Sequence, residues 1–182
     1  MDWVFDGGRP CLDLVNTLRS RHLAENVELL TSPEALAEWL RLAGFAVGRA
    51  PVTSENVTAA KALREAVNRL LTSPPPRAAD VLIVNNAAVS PPPARLRLDD
   101  GALRREVATP PDWVATAFGA IASDAVELVT SGTLVRICAA DDCGLRFRDA
   151  SPRRTRQWCS MSRCGNRAKA RAHYARAQGR NR

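Results

Sequence analysis

Cys138-Ala139-Ala140-Asp141-Asp142-Cys143 and Cys159-Ser160-Met161-Ser162-Arg163-Cys164 form one pattern, C-x4-C-x15-C-x4-C, and its reading decides the fold of the C-terminal end. Thiols paired at short, equal spacing offer four soft ligands to one ion. The N-terminus, Met1-Asp2-Trp3-Val4-Phe5-Asp6, has acids where a signal peptide needs bases and no apolar stretch behind them, so a cytoplasmic chain is expected. In that compartment paired cysteines read as a metal site before a disulfide framework. The spacing departs from the common ferredoxin runs, so one structural zinc ion on Cys138, Cys143, Cys159 and Cys164 is expected over an iron–sulfur cluster. The fifth cysteine, Cys11, is expected to be a small buried hydrophobe.

Working outward, Leu134-Val135-Arg136-Ile137 reads as a strand leading into Cys138, and Gly144 fits the end of a tight knuckle. Leu145-Arg146-Phe147-Arg148 alternates like a returning strand. Cys164 opens an alanine-rich helix running roughly to Gln178, whose positive dipole end is expected to lower the Cys164 thiol pKa. Strand, knuckle, hairpin and helix in this order resemble a treble-clef zinc finger. So small a module lacks a sufficient core, and a metal would staple it. A closed four-thiolate site has no open position for catalysis. His173 lies too far along the helix to join the ion, and His22, with no partner at ligand spacing, is expected to be solvent-exposed.

Charge follows the cysteines. Residues 1–132 hold 13 basic and 16 acidic residues, a net of −3, whereas residues 133–182 hold 13 basic and 3 acidic, a net of +10. The concentrated cations are Arg153, Arg154, Arg156 and Arg163 from the loops and Arg167, Lys169, Arg171, Arg176 and Arg180 from the helix. Their expected partner is nucleic acid, duplex DNA first, through salt-dependent phosphate contacts.

The rest of the chain reads as helical. Residues 10–20 place Leu12, Val15 and Leu18 at helical spacing. Ser32-Pro33-Glu34 starts a helix with Leu36, Trp39, Leu40 and Ala43 on one face, ended by Gly44. Ser54 or Thr53 caps a long helix with Val57, Ala60, Leu63, Val67, Leu70 and Leu71 on its face, stopped by Pro74-Pro75-Pro76. Residues 77–89 favour helix over strand, Pro91-Pro92-Pro93 marks a break, and Leu96 to Val107 turns at Asp99-Asp100-Gly101 as a hairpin. Asp112 caps the last large helix, with Trp113, Ala117, Ile121, Ala125 and Leu128 inward. The longest uncharged apolar run there, Trp113 to Ser123, is short for a membrane span. The expected fold is α+β, predominantly helical: a multi-helical N-terminal domain with a short β-hairpin over 1–132, and a treble-clef-like zinc finger over 133–182.

Trp158-Cys159-Ser160-Met161-Ser162-Arg163-Cys164-Gly165-Asn166-Arg167 resembles the CGNR zinc-finger family, whose name Cys164 to Arg167 spell. Cys138 to Cys143 and Phe147-Arg148-Asp149 look like that family's first half. Phe5-Asp6-Gly7-Gly8-Arg9-Pro10-Cys11-Leu12-Asp13-Leu14-Val15-Asn16-Thr17-Leu18 looks like the start of the ABATE domain that usually precedes such a finger. The resemblance implies a stress-induced transcription regulator, with the four cysteines as zinc ligands and Asn166 and Arg167 as motif residues of unassigned role. From the residues themselves, Asn166 and Arg167 are placed to bond the knuckle backbone or a thiolate, and Arg167 alternatively to bind phosphate. For Gly7 to Asn16, a turn with polar groups capping a helix is the favoured reading.

The expected function is therefore a non-enzymatic DNA-binding regulator with an N-terminal domain for sensing or assembly. A homodimer and a small-molecule effector stay open as further partners; a membrane is not expected. RNA binding and docking to an acidic protein are the alternatives. No Ser-His-Asp set, phosphate loop or open histidine metal site supports an enzyme.

Overall fold

The computed structural model describes residues 2–88, 95–106 and 112–179. The Pro91–Pro93 break, the return of the hairpin to Val107, and Arg180 lie outside the described residues.

The chain forms two compact units, one of Met1–Leu29 with Gly132–Arg182, the other of Leu30–Ser131. The sequence division at 132/133 falls beside the second junction, but residues 1–29 pack in the finger's unit.

The helical unit contains α2 (Pro33–Leu42), α3 (Ser54–Thr72), α4 (Ala78–Ala87), the hairpin β3 (Arg95–Asp99) and β4 (Ala102–Glu106), and α5 (Trp113–Thr130). Each start has a local cause. Ser32 Oγ accepts from Ala35 N at 3.3 Å ahead of Pro33. Thr53 and Asn56 cap each other reciprocally at 3.3 and 2.9 Å. Asp112 accepts from Ala115 N at 2.8 Å. The expected faces are the buried ones: Leu36, Trp39 and Leu40 on α2, Val57, Ala60, Leu63 and Val67 on α3, and Trp113, Ala117, Ile121, Ala125 and Leu128 on α5. Leu70 and Leu71 are only half-buried. Residues 78–87 are helical, with Asp80 buried and ion-paired to Arg69 at 2.5 Å. At the hairpin turn Asp100 and Gly101 both take positive φ, 48° and 79°, the pair a two-residue type I′ loop requires. By length and composition α5 can span a membrane, contrary to the expectation from the shorter run; half of it is buried, and it packs with α3 and α4.

The finger's unit begins with α1 (Pro10–Val15). The expected helix over 10–20 ends early because Thr17 turns back onto Leu14 O through both its amide (3.1 Å) and its hydroxyl (2.7 Å). Leu18 then enters β1 (Leu18–Arg19), which pairs antiparallel with β2 (Val27–Glu28). After residue 132 come β5 (Val135–Ile137), β6 (Arg146–Arg148), a π-helical turn (Met161–Gly165) and α6 (Asn166–Gly179). β5 and β6 pair antiparallel with Arg136 opposite Phe147.

The N-terminal segment is clamped to β6. Gly7 O accepts from Arg148 N at 2.9 Å. Asn16 Nδ2 donates to Arg146 O while its Oδ1 accepts from Arg146 N, both at 2.8 Å. A Cβ on Gly7 would stand 2.8 Å from Leu12 Cβ and from Asp13 Oδ1, and that carboxylate accepts from Gly7 N at 2.9 Å. Residues 7–16 thus do more than turn and cap: their polar groups dock the N-terminal segment onto the finger.

Candidate metal centre

Backbone bonds build the knuckle. Cys138 N donates to Leu145 O at 2.8 Å and Cys143 N to Ala140 O at 3.0 Å, and Gly144 leaves the turn at φ 64°. The second cysteine pair is delivered by the π turn. Ser160 Oγ accepts from Arg163 N at 3.1 Å, and Ser160 O accepts from both Cys164 N and Gly165 N at 3.1 Å. Cys164 therefore sits in a turn ahead of α6 rather than in its first residues.

The four Sγ atoms lie within 4.8 Å of one another, and all four cysteines are buried. Cys143 Sγ is 3.8 Å from Cys159 Sγ, which is 3.6 Å from Cys164 Sγ, far beyond a disulfide bond. Cys159 N also donates to Cys138 Sγ at 3.4 Å. Val4, Ala140, Leu145 and Phe147 are buried with the cysteines, and Trp158 packs against them. The set can hold a metal ion. Cys11 is fully buried, as expected of a small hydrophobe.

Ionisation is concentrated on one sulfur. A hydrogen bond from the Cys159 thiol is the largest cause that brings Cys143 down to about 5. The same bond, then burial, pushes Cys159 well above the ordinary thiol range. Burial is the main cause that raises Cys164 to about 12. The expected lowering of Cys164 is not seen among the four thiols as they stand: burial, then the hydrogen bond with Cys143, raises it.

A second network braces the centre. Asp149 is buried and accepts from Ser151 Oγ (2.6 Å), Ser151 N (3.0 Å), Arg156 N (3.0 Å) and Arg136 Nε (2.9 Å). With the Ser151 hydroxyl as the largest cause, its carboxyl is held at about 2. Arg136 also donates to Arg154 O.

The expected nucleic-acid cations divide into two groups. Arg156 donates to Trp158 O at 2.8 Å and to Cys159 O, and its guanidinium stands 4.8 Å over the Phe147 ring. Arg163 pairs with Asp6 at 3.2 Å. Arg167 pairs with Asp142 at 2.9 Å and points an amino group at Cys164 Sγ, 3.7 Å away, so the expected contact to a cluster sulfur is present. Arg171 pairs with the other oxygen of Asp142 at 3.1 Å. Arg153, Arg154 and Lys169 are exposed, and Arg176 lies on α6. Asn166 is exposed where α6 begins.

His22 is exposed, as expected. Its Nε2 is 2.8 Å from Asp141 O, and its ring lies where a Cβ on Gly144 would be, so it covers the knuckle. His173 is exposed, edge-on to Tyr174. Asn16, Asp149, Asp142 and His22 are the functional neighbours that residue patterns alone missed; only the family-like stretches containing Asn16 and Asp149 marked two of them.

The buried four-cysteine cluster between a β-hairpin and a helix defines a zinc-finger-type protein. Two family models match: the ABATE family, described as "Putative stress-induced transcription regulator", over residues 8–132, and the CGNR zinc finger over residues 135–177. The chain belongs to the ABATE family and carries a CGNR zinc finger at its C-terminal end. No curated protein matches it.

Proposed function

We propose that this chain is a cytoplasmic, non-enzymatic transcription regulator that binds duplex DNA through a finger built on one structural zinc ion. Cys138, Cys143, Cys159 and Cys164 would hold the ion. A tetrahedral zinc site with bonds of about 2.3 Å spaces its sulfurs about 3.8 Å apart, and the measured pairs at 3.6 and 3.8 Å fit that edge. Zinc would let four crowded thiols ionise together and so fix the finger in its folded form.

The observation that carries DNA binding is the charge of the finger's unit. Residues 1–29 and 132–182 hold 16 basic and 8 acidic residues, a net of +8, whereas residues 30–131 hold 10 and 11, a net of −1. Arg153, Arg154 and Lys169 stand exposed on that unit, and half of the Arg167 and Arg171 side chains is open to solvent. Cations on a metal-fixed frame suit phosphate contacts, which set position and salt dependence but not base sequence. The family description supports regulation as the role. The helical unit is assigned to sensing or assembly.

The test is binding of the full-length, zinc-loaded chain to duplex DNA across a salt series, with structured RNA as competitor. Affinity should fall steeply with salt, and each of Arg153→Ala, Arg154→Ala and Lys169→Ala should lower the salt slope by about one. Absent or salt-independent binding overturns the reading, and preferential loss to RNA reassigns the ligand. Cutting the chain at 132 is not a suitable control, because it separates residues 1–29 from β6.

A further inference from the structure

A cavity of about 380 Å³ lies within the finger's unit against the metal cluster, with Cys143 in its lining. Its apolar wall is Val27, Leu29 and Leu145; its polar wall holds Arg19, Arg163 and Arg167 together with Asp2 and Asp142, three cations against two carboxylates. The volume falls in the range of sites for small organic molecules, about 300–1,000 Å³.

The arginines are unequally satisfied. Arg163 has Asp6, and Arg167 has Asp142, which it shares with Arg171. Arg19 donates one amino group to the carbonyl of Asp2, and its Nε is buried with no hydrogen-bond partner. No carboxylate among the described residues forms an ion pair with it. Burial, followed by the like charge of Arg163, lowers its pKa. A buried Nε–H without an acceptor is costly, and a planar, two-oxygen anion is the group that matches the guanidinium's fork. The hydroxyl-bearing Ser20, held at φ 52°, lines the same cavity.

We infer that this cavity binds a small organic anion, an apolar body against Val27, Leu29 and Leu145 with one carboxylate or phosphate group on Arg19 and Arg163. The inference stands on the cavity alone and does not depend on DNA binding, so either can fail without the other.

The test uses the full-length, metal-loaded chain and follows backbone amide shifts on adding benzoate, phenyl phosphate or neutral benzyl alcohol. At least one of the two acids should shift Ser20, Val27 and Leu145 saturably at millimolar concentration, and benzyl alcohol should not. Arg19→Gln should weaken binding about tenfold or more. Val27→Asp, at a position half exposed and so tolerant of charge, should do the same by repulsion and keeps the test decisive if Arg19→Gln fails to fold. Arg41→Gln, on α2, should change nothing. Silence from both acids, an equal response to benzyl alcohol, or undiminished binding by folded Arg19→Gln or Val27→Asp overturns the inference.

Discussion

Asn16 and Arg146 are joined by two hydrogen bonds of 2.8 Å, the amide side chain of one pairing with the backbone N–H and C=O of the other as a neighbouring strand would. Asn16 is 4% exposed, so water replaces neither bond readily. Asn16→Ala should therefore destabilise the finger's unit by about 2–3 kcal/mol, because it removes two bonds and leaves both the N–H and the C=O of Arg146 unpaired. Asn16→Asp keeps the acceptor but loses the donor to Arg146 O, and should rescue little. Thermal unfolding of the metal-loaded chain gives the comparison; wild-type stability in Asn16→Ala would remove the clamp from the account.

Gly7 makes a separate prediction about space. Its φ is not left-handed, so backbone strain plays no part; the obstacle to a side chain is Leu12 and Asp13 at 2.8 Å. Gly7→Ala should cost about 1–3 kcal/mol through overpacking. Gly44, with positive φ and open space, should respond to alanine by conformational strain alone. Denaturant midpoints of the two variants check the distinction.

Two arginines three positions apart should behave in opposite ways. Arg156→Ala loses hydrogen bonds to Trp158 O and Cys159 O and the contact over Phe147. It should destabilise the finger by about 2 kcal/mol and speed metal loss to a chelator. Arg153→Ala, exposed, should leave stability and metal retention unchanged and weaken only DNA binding. Calorimetry and chelator kinetics on both variants separate support from contact.

Acid should act on the helical unit through Asp80. Its carboxyl is held below the ordinary aspartate value, first by the hydrogen bonds from Arg69. A depressed folded pKa adds stability above the unfolded value, near about 3.9, and that stability is lost as pH falls below it toward the folded value. Asp80→Asn should cost about 1–3 kcal/mol near neutral pH and flatten this part of the acid dependence. Unfolding of α3 and α4 followed from pH 6 downward, the range again being about that of free carboxyls, provides the check.

Chelation should loosen more than the cysteine-bearing segment. With zinc removed, residues 1–29 should become protease-sensitive together with residues 132–179, while a fragment near Leu30–Ser131 survives. Mass analysis of limited digests before and after chelation checks this, and metal analysis of the untreated chain should give one zinc.

What was legible in the sequence is what local physics decides. Thr53 and Asn56 cap each other across three residues, and the inward face of α5 is a simple helical period, so both could be read directly. The cysteine spacing marked the cluster for the same reason, because ligand geometry constrains short loops. Partner choice was not legible. Arg163 meets Asp6 and Arg146 meets Asn16 across more than a hundred residues, and the charges that sequence reading assigned to phosphate are partly spent on Asp6, Asp142 and Cys159 O. The helix expected through residue 20 failed at Thr17, whose hydroxyl bond to Leu14 O competes with helix continuation.

The discontinuous unit has a consequence for synthesis. Residues 1–29 leave the ribosome well before β6 exists, so Gly7 and Asn16 emerge with the backbone they bind still untranslated. The helical stretch from Leu30 to Ser131 can collapse in the interval, while the N-terminal segment waits about a hundred residues for its partner. The finger is then completed only after β6 and the second cysteine pair have joined the waiting N-terminal segment.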